Sequence, residues 1–300
     1  MSIQLSSYQL ETEFFNAIKD TPPISARFVS SWEIHILTNE KYAVMCLWAL
    51  KSLAVTLGGM PDVVIHDDGS LINETVALLS RHLPNARIIT EQLVLEDTSF
   101  WEQLAKYPAL LYWRKEVDLC LARRLIDFRF YANKPYVVVF DTDVLFLRRP
   151  EFMLQCASKG LPFAMTDYLS AYHPPLGVLK AVFPKPFPVD INGGLWGVPK
   201  TVLDLNTLEE TLGRLSENDQ QFEWGNFWLD QTLLALLLAE AGDLVMLPPA
   251  EYSIAFRRLS EGAAAHHFPN STARKLYFRV GLRRLHNEGV LRRMDDIGAT

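Results

Sequence analysis

The amino-acid sequence predicts an α/β fold with a mostly parallel sheet flanked by helices. Strand-like and helix-like segments alternate at short intervals in the first half of the chain, which is typical of parallel strands joined by crossover helices. Residues 135–147 form an apolar run of the kind found in a buried strand, and Asp141 and Asp143 interrupt it. A chain of 300 residues is long enough to bury a substantial core in one large domain or two small ones.

Breaker and capping residues set the bounds of the predicted elements. Asn39 is a candidate cap for the first long helix, and Gly58-Gly59 ends it. The elements before Pro150 are a helical lead-in over residues 1–30, a strand at 33–38, a helix at 40–57, a strand at 61–66, a helix ending near 82, a strand at 86–90, a long helix over 110–131 and the central strand. Those after Pro150 are strands at 162–166, 194–198, 244–247 and 263–268, and a helix within 219–241.

Composition and charge exclude several classes of protein. The net charge of −6 argues against a protein that binds nucleic acid through its overall charge. Cys46, Cys120 and Cys156 are odd in number and widely spaced, so we expect no disulfide framework, which fits a reducing compartment. The N-terminus lacks a signal-peptide pattern, and the most apolar segment, 232–238, is far shorter than a bilayer span. We therefore expect a cytoplasmic protein.

A basic segment closes the chain. Residues 273–294 carry seven basic side chains and one acidic one, Glu288. Two interpretations stay open: a solvated helix, or a basic amphipathic helix that lies on an anionic membrane surface. The apolar face of such a helix would consist of Leu276, Tyr277, Phe278, Val280, Leu282, Leu285, Val290 and Leu291. We treat residues 1–30 and 273–300 as extensions of a main domain over residues 31–272.

Three polar clusters follow predicted strands. Thr38 ends the first strand, Asp67 and Asp68 end the second, and Asp141 and Asp143 end the central one. Ligands of open α/β sheets bind outside the carboxyl ends of the strands, so we expect a site at this edge. Buried carboxylates need a cationic partner. A divalent metal ion with a phosphate group beyond it would satisfy both acids.

Several segments together resemble a known family. Phe140-Asp141-Thr142-Asp143 is similar to the Asp-x-Asp motif of nucleotide-sugar-dependent glycosyltransferases with the GT-A fold. Asp190-Ile191-Asn192-Gly193-Gly194 resembles the Asn-x-Gly turn beside the donor sugar, and Asp230-Gln231 resembles a catalytic-site pair. His266-His267 followed by Arg274-Lys275 resembles the C-terminal element of family-8-like bacterial sugar transferases, His-x-x-Gly-x-x-Lys-Pro-Trp, except that residues 269–272 replace its Gly region and Lys275 comes later.

The resemblance implies a GT-A fold whose nucleotide half spans about residues 31–150 and whose acceptor half spans about 151–272. It implies a transferase that moves a hexose from a nucleoside-diphosphate sugar, with UDP as the expected nucleotide, to a glycan or lipid-linked acceptor. The implied ligands of Mn²⁺ or Mg²⁺ are Asp141, Asp143 and either His267 or His266, and Asp230 and Gln231 are the implied catalytic pair. The implied donor-binding residues are Thr38, Asp67, Asp68, Lys115, Thr142, Asn192, Gly193, Gly194, Arg274 and Lys275.

Each of these assignments has a plain structural alternative. Asp67 and Asp68 can form a turn before Gly69, residues 192–194 can be a tight turn, and Asp230 can cap its helix. Asp141 and Asp143 can pair with Arg148 or Arg149. Arg114 and Lys115 can lie on a solvated helix face, and Trp196, Trp224 and Trp228 can be core residues and not sugar-stacking ones.

Two other functions fit parts of the pattern. The segment 140–143 also resembles the first motif of haloacid-dehalogenase-type phosphatases, although that motif normally opens its domain. A GT-A-like domain that binds a nucleotide sugar without turnover is the second alternative.

Overall fold

The computed structural model describes residues 7–255 and 259–287. The helices are α1 Ser7–Ala17, α2 Ala43–Leu57, α3 Asn73–His82, α4 Glu91–Glu96, α5 Thr98–Leu104, α6 Pro108–Lys115, α7 Ile126–Tyr131, α8 Glu151–Lys159, α9 Leu176–Val182, α10 Leu205–Asn218, α11 Leu229–Ala241, α12 Ser271–Leu276 and α13 Leu282–Asn287. The strands are β1 Trp32–Thr38, β2 Asp62–Asp67, β3 Arg87–Ile89, β4 Tyr136–Phe140, β5 Val144–Phe146, β6 Phe163–Thr166, β7 Ile191–Pro199, β8 Val245–Met246, β9 Tyr252–Ile254 and β10 Ala265–His267.

The main sheet has the strand order β3-β2-β1-β4-β7-β6-β8. Strands β3, β2, β1 and β4 are parallel, β7 is antiparallel to both β4 and β6, and β6 is parallel to β8. Within the described residues, β7 is therefore the one reversed strand of this sheet. The predicted α/β class with a mostly parallel sheet is confirmed.

Both faces of the sheet are covered, so its central strands are apolar on both sides. In β4, Val138 and Phe140 pack into the core beneath α2, whereas Val137 and Val139 pack into the core beneath α11. This alternation follows from the two-residue period of a strand. Burial on both faces explains why the sequence here is a continuous apolar run.

The apolar run 135–147 belongs to two sheets. It forms β4 in the main sheet, turns at residues 141–143, and continues as β5 in a small sheet of order β5-β10-β9. The amide of Val144 donates to the carbonyl of Asp141 across this turn at 3.1 Å. The prediction of a single central strand is therefore corrected, and the two acids lie at the junction of the sheets.

The predicted long helix over 110–131 is also corrected. Helix α6 ends at Lys115, a short 3₁₀ turn spans Cys120–Arg124, and α7 begins at Ile126. Leu119 has an extended backbone that interrupts the helical path. The interruption turns Arg124 toward the end of β4, where it pairs with acidic side chains. Helix α10 was not predicted, and residues 219–228 precede α11 without being helical.

The C-terminal segment packs on the body of the protein. Tyr277, Phe278, Leu282 and Leu285 are buried in the core, and the Phe278 ring contacts Phe15 of α1 with centroids 6.2 Å apart. Four of the eight apolar residues that could face a membrane are therefore buried within the protein. Residues 288–294 of that predicted helix lie outside the described residues.

Two further findings concern the described part of the chain. None of its helices is both long enough and apolar enough to cross a membrane. Cys46, Cys120 and Cys156 all have free thiols, as expected from their spacing.

Candidate active site

A cavity of about 490 Å³ opens where β1, β4 and β6 end and the reversed strand β7 begins. Antiparallel β7 contributes its first residues, and the parallel strands contribute their last, so polar residues from separate segments meet there. Of the predicted site residues, those that line the cavity are Thr38, Asp68, Asp141, Thr142, Asp143, Asn192, Gly193, Gly194, Asp230, Gln231, His267 and Arg274.

Asp141, Asp143 and His267 form a candidate metal site. Each offers one ligand atom, and these atoms lie within 4.8 Å of one another. His267 Nε2 is 3.6 Å from Asp141 Oδ2 and 3.2 Å from Asp143 Oδ1. The buried Oδ1 of Asp143 has no hydrogen-bond partner among the described residues, which is costly unless a cation meets it. Two carboxylates and one imidazole suit Mn²⁺ or Mg²⁺.

The small sheet places His267 opposite the acids. Strand β10 is antiparallel to β5, with His267 paired to Val144, and the amide of Phe268 donates to the carbonyl of Asp143 at 3.1 Å. Burial lowers the pKa of the His267 imidazole, but the carboxylates of Asp143 and Asp141 outweigh it, so the pKa is raised overall.

Asn192 fixes the orientation of the His267 ring. Asn192 Oδ1 lies 2.8 Å from His267 Nδ1 and also accepts the amide of Gly194 at 2.9 Å, while Asn192 Nδ2 donates to Asp167 Oδ2 at 2.8 Å. Because Oδ1 only accepts, Nδ1 of the neutral imidazole carries the proton. The lone pair of Nε2 then faces Asp141 and Asp143, as a metal ligand requires.

Gly194 makes room for the same ring. A Cβ atom on Gly194 would lie 2.3 Å from both Nδ1 and Cε1 of His267. Residues 192–194 do not form a tight turn, because they belong to β7, which begins at Ile191 and lies opposite a register shift between Ala164 and Met165. Glycine is needed at residue 194 because an imidazole approaches the backbone closely.

Arg124, which was not predicted as a site residue, links the candidate metal site to the predicted catalytic pair. Its Nη2 lies 3.1 Å from Asp141 Oδ1, and its Nη1 lies 3.0 Å from Asp230 Oδ2. The same guanidinium donates to the carbonyl of Gly193. The available signal was the pair Arg123-Arg124 between the apolar residues 121–122 and 125–126.

Asp230 and Gln231 lie in the first turn of α11, and the residue before that helix is Trp228. Asp230 is thus not the helix cap; it pairs with Arg124. Burial raises the pKa of Asp230 to about 6, the charge of Asp141 adds to this rise, and Arg124 opposes it. Gln231 Oε1 accepts the amide of Gly193 at 2.8 Å, and its Nε2 donates to the carbonyl of Ala171 at 3.0 Å.

Arg274 is the basic residue that reaches the cavity. Its Nη2 is 3.8 Å from Asp143 Oδ2, and its Nη1 donates to the Tyr42 hydroxyl at 2.8 Å. The guanidinium also lies 4.6 Å from the centroid of the Tyr42 ring. Lys275, the alternative, is exposed and outside the cavity lining. Tyr42, which lines the cavity as well, carried no recognisable signal in the sequence.

His266 points to the opposite face of β10. Its Nδ1 lies 2.6 Å from Ser253 Oγ and its Nε2 lies 3.3 Å from the carbonyl of Ser260. Burial lowers the pKa of His266 to about 4. Since successive strand residues face opposite sides, His267 and not His266 meets the acids.

Asp67 supports the loop after β2 and does not line the cavity. Its Oδ1 accepts the amides of Gly69 at 2.8 Å and Leu71 at 3.0 Å, as the turn-forming alternative predicts. Lys115 lines a separate cavity of about 450 Å³, which shares Asp68 with the main one.

Arg114, expected on a solvated face, is buried instead. Its guanidinium pairs with Glu91 at 2.9 Å and with Asp127 at 2.8 Å. The prediction of a solvated Arg114 was wrong because the chain turns after α6, and α7 then packs its Asp127 against Arg114 near the end of α6.

The structure also shows the contacts of the remaining arginine and tryptophan side chains named in the sequence. Arg148 Nε donates to the carbonyl of Ala263 at 3.4 Å and Arg149 pairs with Glu151 at 3.1 Å, so the partners of Asp141 and Asp143 are those described above. Trp196 is buried in the core, and Trp224 packs against Tyr112 with ring centroids 5.0 Å apart. Trp228 is the predicted tryptophan that lines the cavity.

Comparison with known proteins bears on the fold. No family model and no curated protein matches the sequence. Among solved structures, mouse xyloside xylosyltransferase 1 is similar, with a TM-score of 0.53 and 10% identity over 82% of this chain and 99% of that chain. The bifunctional enzyme WbbM has a TM-score of 0.55 and 15% identity over 90% of this chain and 52% of that one.

The galactosyltransferase LgtC, in complex with donor and acceptor sugar analogues, has a TM-score of 0.50 and 14% identity over 89% of this chain and 95% of that chain. The chain has the GT-A fold. At identities of 10% to 15%, these likenesses establish the fold and leave the activity to be argued from the site.

Proposed function

We propose that the protein is a metal-dependent glycosyltransferase that moves a hexose from a nucleoside-diphosphate sugar to a glycan or lipid-linked acceptor. UDP is the proposed nucleotide, and a family-8-like enzyme is the proposed type. The observation that carries the proposal is the group of Asp141, Asp143 and His267 inside the strand-end cavity of a GT-A fold.

The reaction exchanges one bond at the anomeric carbon. The bond from C1 of the sugar to the diphosphate oxygen breaks, and that oxygen keeps the electron pair. A new bond forms between C1 and the acceptor hydroxyl oxygen, whose proton passes to the released diphosphate or to water. Mn²⁺ or Mg²⁺ held by Asp141, Asp143 and His267 would supply positive charge for the leaving diphosphate.

Fixed positive charge on the protein supports the same step. Arg274 lies at the edge of the metal site, where it can bind a phosphate oxygen of the donor. In this proposal Thr38, at the end of β1, and Asp68, directly after β2, contact the nucleoside, and Thr142 lies between the two acids; all three line the cavity.

In this proposal Asp230 stabilises charge and does not remove a proton. Its Oδ2 is held by Arg124 Nη1 at 3.0 Å, which fixes the orientation of the carboxylate beside the sugar site. We propose that Asp230 faces the positive charge that develops at C1. Gln231 is a positioning residue in this proposal, because both ends of its amide hold backbone groups beside the sugar site.

We also propose a cellular setting for the enzyme. The free thiols of Cys46, Cys120 and Cys156 support a reducing compartment such as the cytoplasm. Arg274, Lys275, Arg279, Arg283 and Arg284 form a basic segment that would favour an anionic membrane surface, and sedimentation with anionic vesicles tests this.

A panel of nucleoside-diphosphate sugars tests the proposed function. With Mn²⁺ present, we expect one donor to raise the melting temperature and to release its nucleoside diphosphate when an acceptor is added. The variant Asp143→Ala should release the nucleoside diphosphate at least about a hundredfold more slowly, since it lacks a metal ligand. The matched control is Asp118→Ala, an exposed acid outside the cavity.

Three outcomes would contradict the proposal. Turnover by Asp143→Ala at the wild-type rate would exclude the metal role. Release of phosphate from aryl phosphates would indicate a phosphatase. Metal-dependent binding of a donor, with no turnover for any acceptor or water, would indicate a non-catalytic binding protein.

A further inference from the structure

Four large side chains form an exposed edge on the main cavity. Tyr168 and Leu169 follow β6, and Phe227 and Trp228 precede α11, and all four line the cavity that holds the metal site. We call these four residues the apolar rim. Leu169 is 64% exposed, Phe227 61% and Trp228 43%.

The backbone of the apolar rim is firmly held. Asp167 Oδ1 accepts the amides of Tyr168 at 2.8 Å and Leu169 at 3.2 Å. On the other side, the amide of Trp228 donates to Asn226 Oδ1 at 3.0 Å. The exposed side chains therefore extend from fixed backbone, which lowers the entropy lost when a ligand binds them.

The apolar rim is connected to the metal site by hydrogen bonds. The other oxygen of Asp167, Oδ2, accepts Asn192 Nδ2 at 2.8 Å, and Asn192 in turn holds His267. On the second side, Asp230 and Gln231 follow Trp228 by two and three residues in the chain. A ligand that contacts both the rim and the metal site is thus held in a defined position relative to the reacting sugar.

Charge is distributed unevenly over the cavity. The interior carries Asp141, Asp143, Asp230, Arg124 and Arg274, which suit a diphosphate and sugar hydroxyl groups. The apolar rim carries no charged side chain. Single exposed apolar residues are common on proteins, but a group of four on one ligand cavity indicates an apolar binding partner.

We propose that the apolar rim binds an alkyl chain attached to the acceptor sugar, so that the acceptor is an amphipathic glycoside. The inference rests on the proposed glycosyl transfer and specifies its acceptor. An alkyl chain is favoured over a second sugar because the apolar rim has no charged or amide side chain to bind sugar hydroxyl groups, and Leu169 has no aromatic face on which a sugar ring stacks. Phe227, whose ring meets that of Trp228 edge-on with centroids 5.0 Å apart, widens the apolar surface beside it.

Alkyl glycosides of increasing chain length test the inference. Methyl, butyl and octyl glycosides of glucose, galactose and xylose are offered as acceptors below their micelle concentrations, and release of UDP from the active donor is measured. We expect KM to fall by about tenfold or more from methyl to octyl, because burial of about two methylene groups suffices for this. The same glycosides are tested for binding by saturation-transfer NMR, which needs no turnover.

Substitutions on the apolar rim identify the site. Leu169→Ser and Phe227→Ala should each reduce the methyl-to-octyl ratio of KM by about threefold or more. The matched control is Leu95→Ser, since Leu95 is 63% exposed but lies outside the main cavity. This control should retain the wild-type ratio.

The outcomes separate the inference from the proposed function. Equal KM and equal NMR binding for methyl and octyl glycosides, with turnover intact, would overturn the inference alone. A chain-length effect that Leu95→Ser removes as strongly as Leu169→Ser would also overturn it. Absence of UDP release from every donor would refute the proposed function. The inference would still be tested in that case, because NMR measures binding of the octyl glycoside at the apolar rim without turnover.

Discussion

Replacement of Gly194 by alanine would test how the metal site is built. Gly194 does not have a positive φ, so its backbone accepts alanine and the effect depends on space alone. The added Cβ would lie 2.3 Å from the His267 ring, so the ring must move by about 1 Å to reach an ordinary contact. That movement breaks the bond to Asn192 and displaces Nε2 from Asp141 and Asp143.

The expected magnitude follows from the loss of a positioned ligand. Metal affinity should fall by about 10- to 100-fold, as for loss of groups that orient a ligand. Overpacking should also lower the free energy of unfolding by about 1–3 kcal/mol. Calorimetric titration with Mn²⁺ in the presence of UDP gives the first quantity, and denaturant unfolding gives the second.

Gly197→Ala is the matched control. Gly197 lies on the same strand, β7, and its added Cβ would lie 2.4 Å from the Phe163 ring, in the core and away from the acids. It should destabilise the fold to a similar extent and leave Mn²⁺ affinity unchanged. The reasoning is refuted if Gly194→Ala binds Mn²⁺ within twofold of wild type, or if both variants lose affinity equally.

Three other substitutions give distinct readouts. Asn192→Leu removes the acceptor that fixes the His267 tautomer and should weaken Mn²⁺ binding by about 10-fold or more in the same titration. Arg124→Lys cannot span its two acidic partners and should lower kcat by about 100-fold, whereas Arg123→Lys, outside the cavity, should not. Burial lowers the pKa of Lys51 to about 8, so wild-type stability should rise by up to about 3 kcal/mol between about pH 8 and 10.5, and Lys51→Met should abolish this rise in urea unfolding.

The sign of the Lys51 effect follows from proton binding. Above pH 8 the folded protein has released the proton while the unfolded chain still holds it up to about pH 10.5, so stability increases as pH rises through this window. A flat difference between wild type and Lys51→Met over that window would contradict it. For Asn192→Leu and Arg124→Lys, wild-type Mn²⁺ affinity and kcat would contradict the two site assignments.

Local patterns predicted those parts of the protein that depend on neighbouring residues. The alternation of strands and helices predicted the fold class, and the apolar run around Asp141 and Asp143 located the turn that carries the candidate metal site. The prediction of one helix over 110–131 was wrong because the apolar periodicity of the sequence continues through the segment between α6 and α7, where the structure has no α-helix. Nothing local distinguishes an Arg124 exposed on a helix from one that turns inward to meet Asp230, 106 positions away in the chain.

The sequence by itself determined that two acids follow a buried strand and that one histidine of an adjacent pair is available to them. Only the tertiary structure decided which histidine, because the register of β10 against β5 sets which side of the strand faces the acids. It also decided that Gly194 is required by the His267 ring and that Arg124 joins Asp141 to Asp230. These contacts connect segments far apart in the chain, and no periodicity within one segment records them.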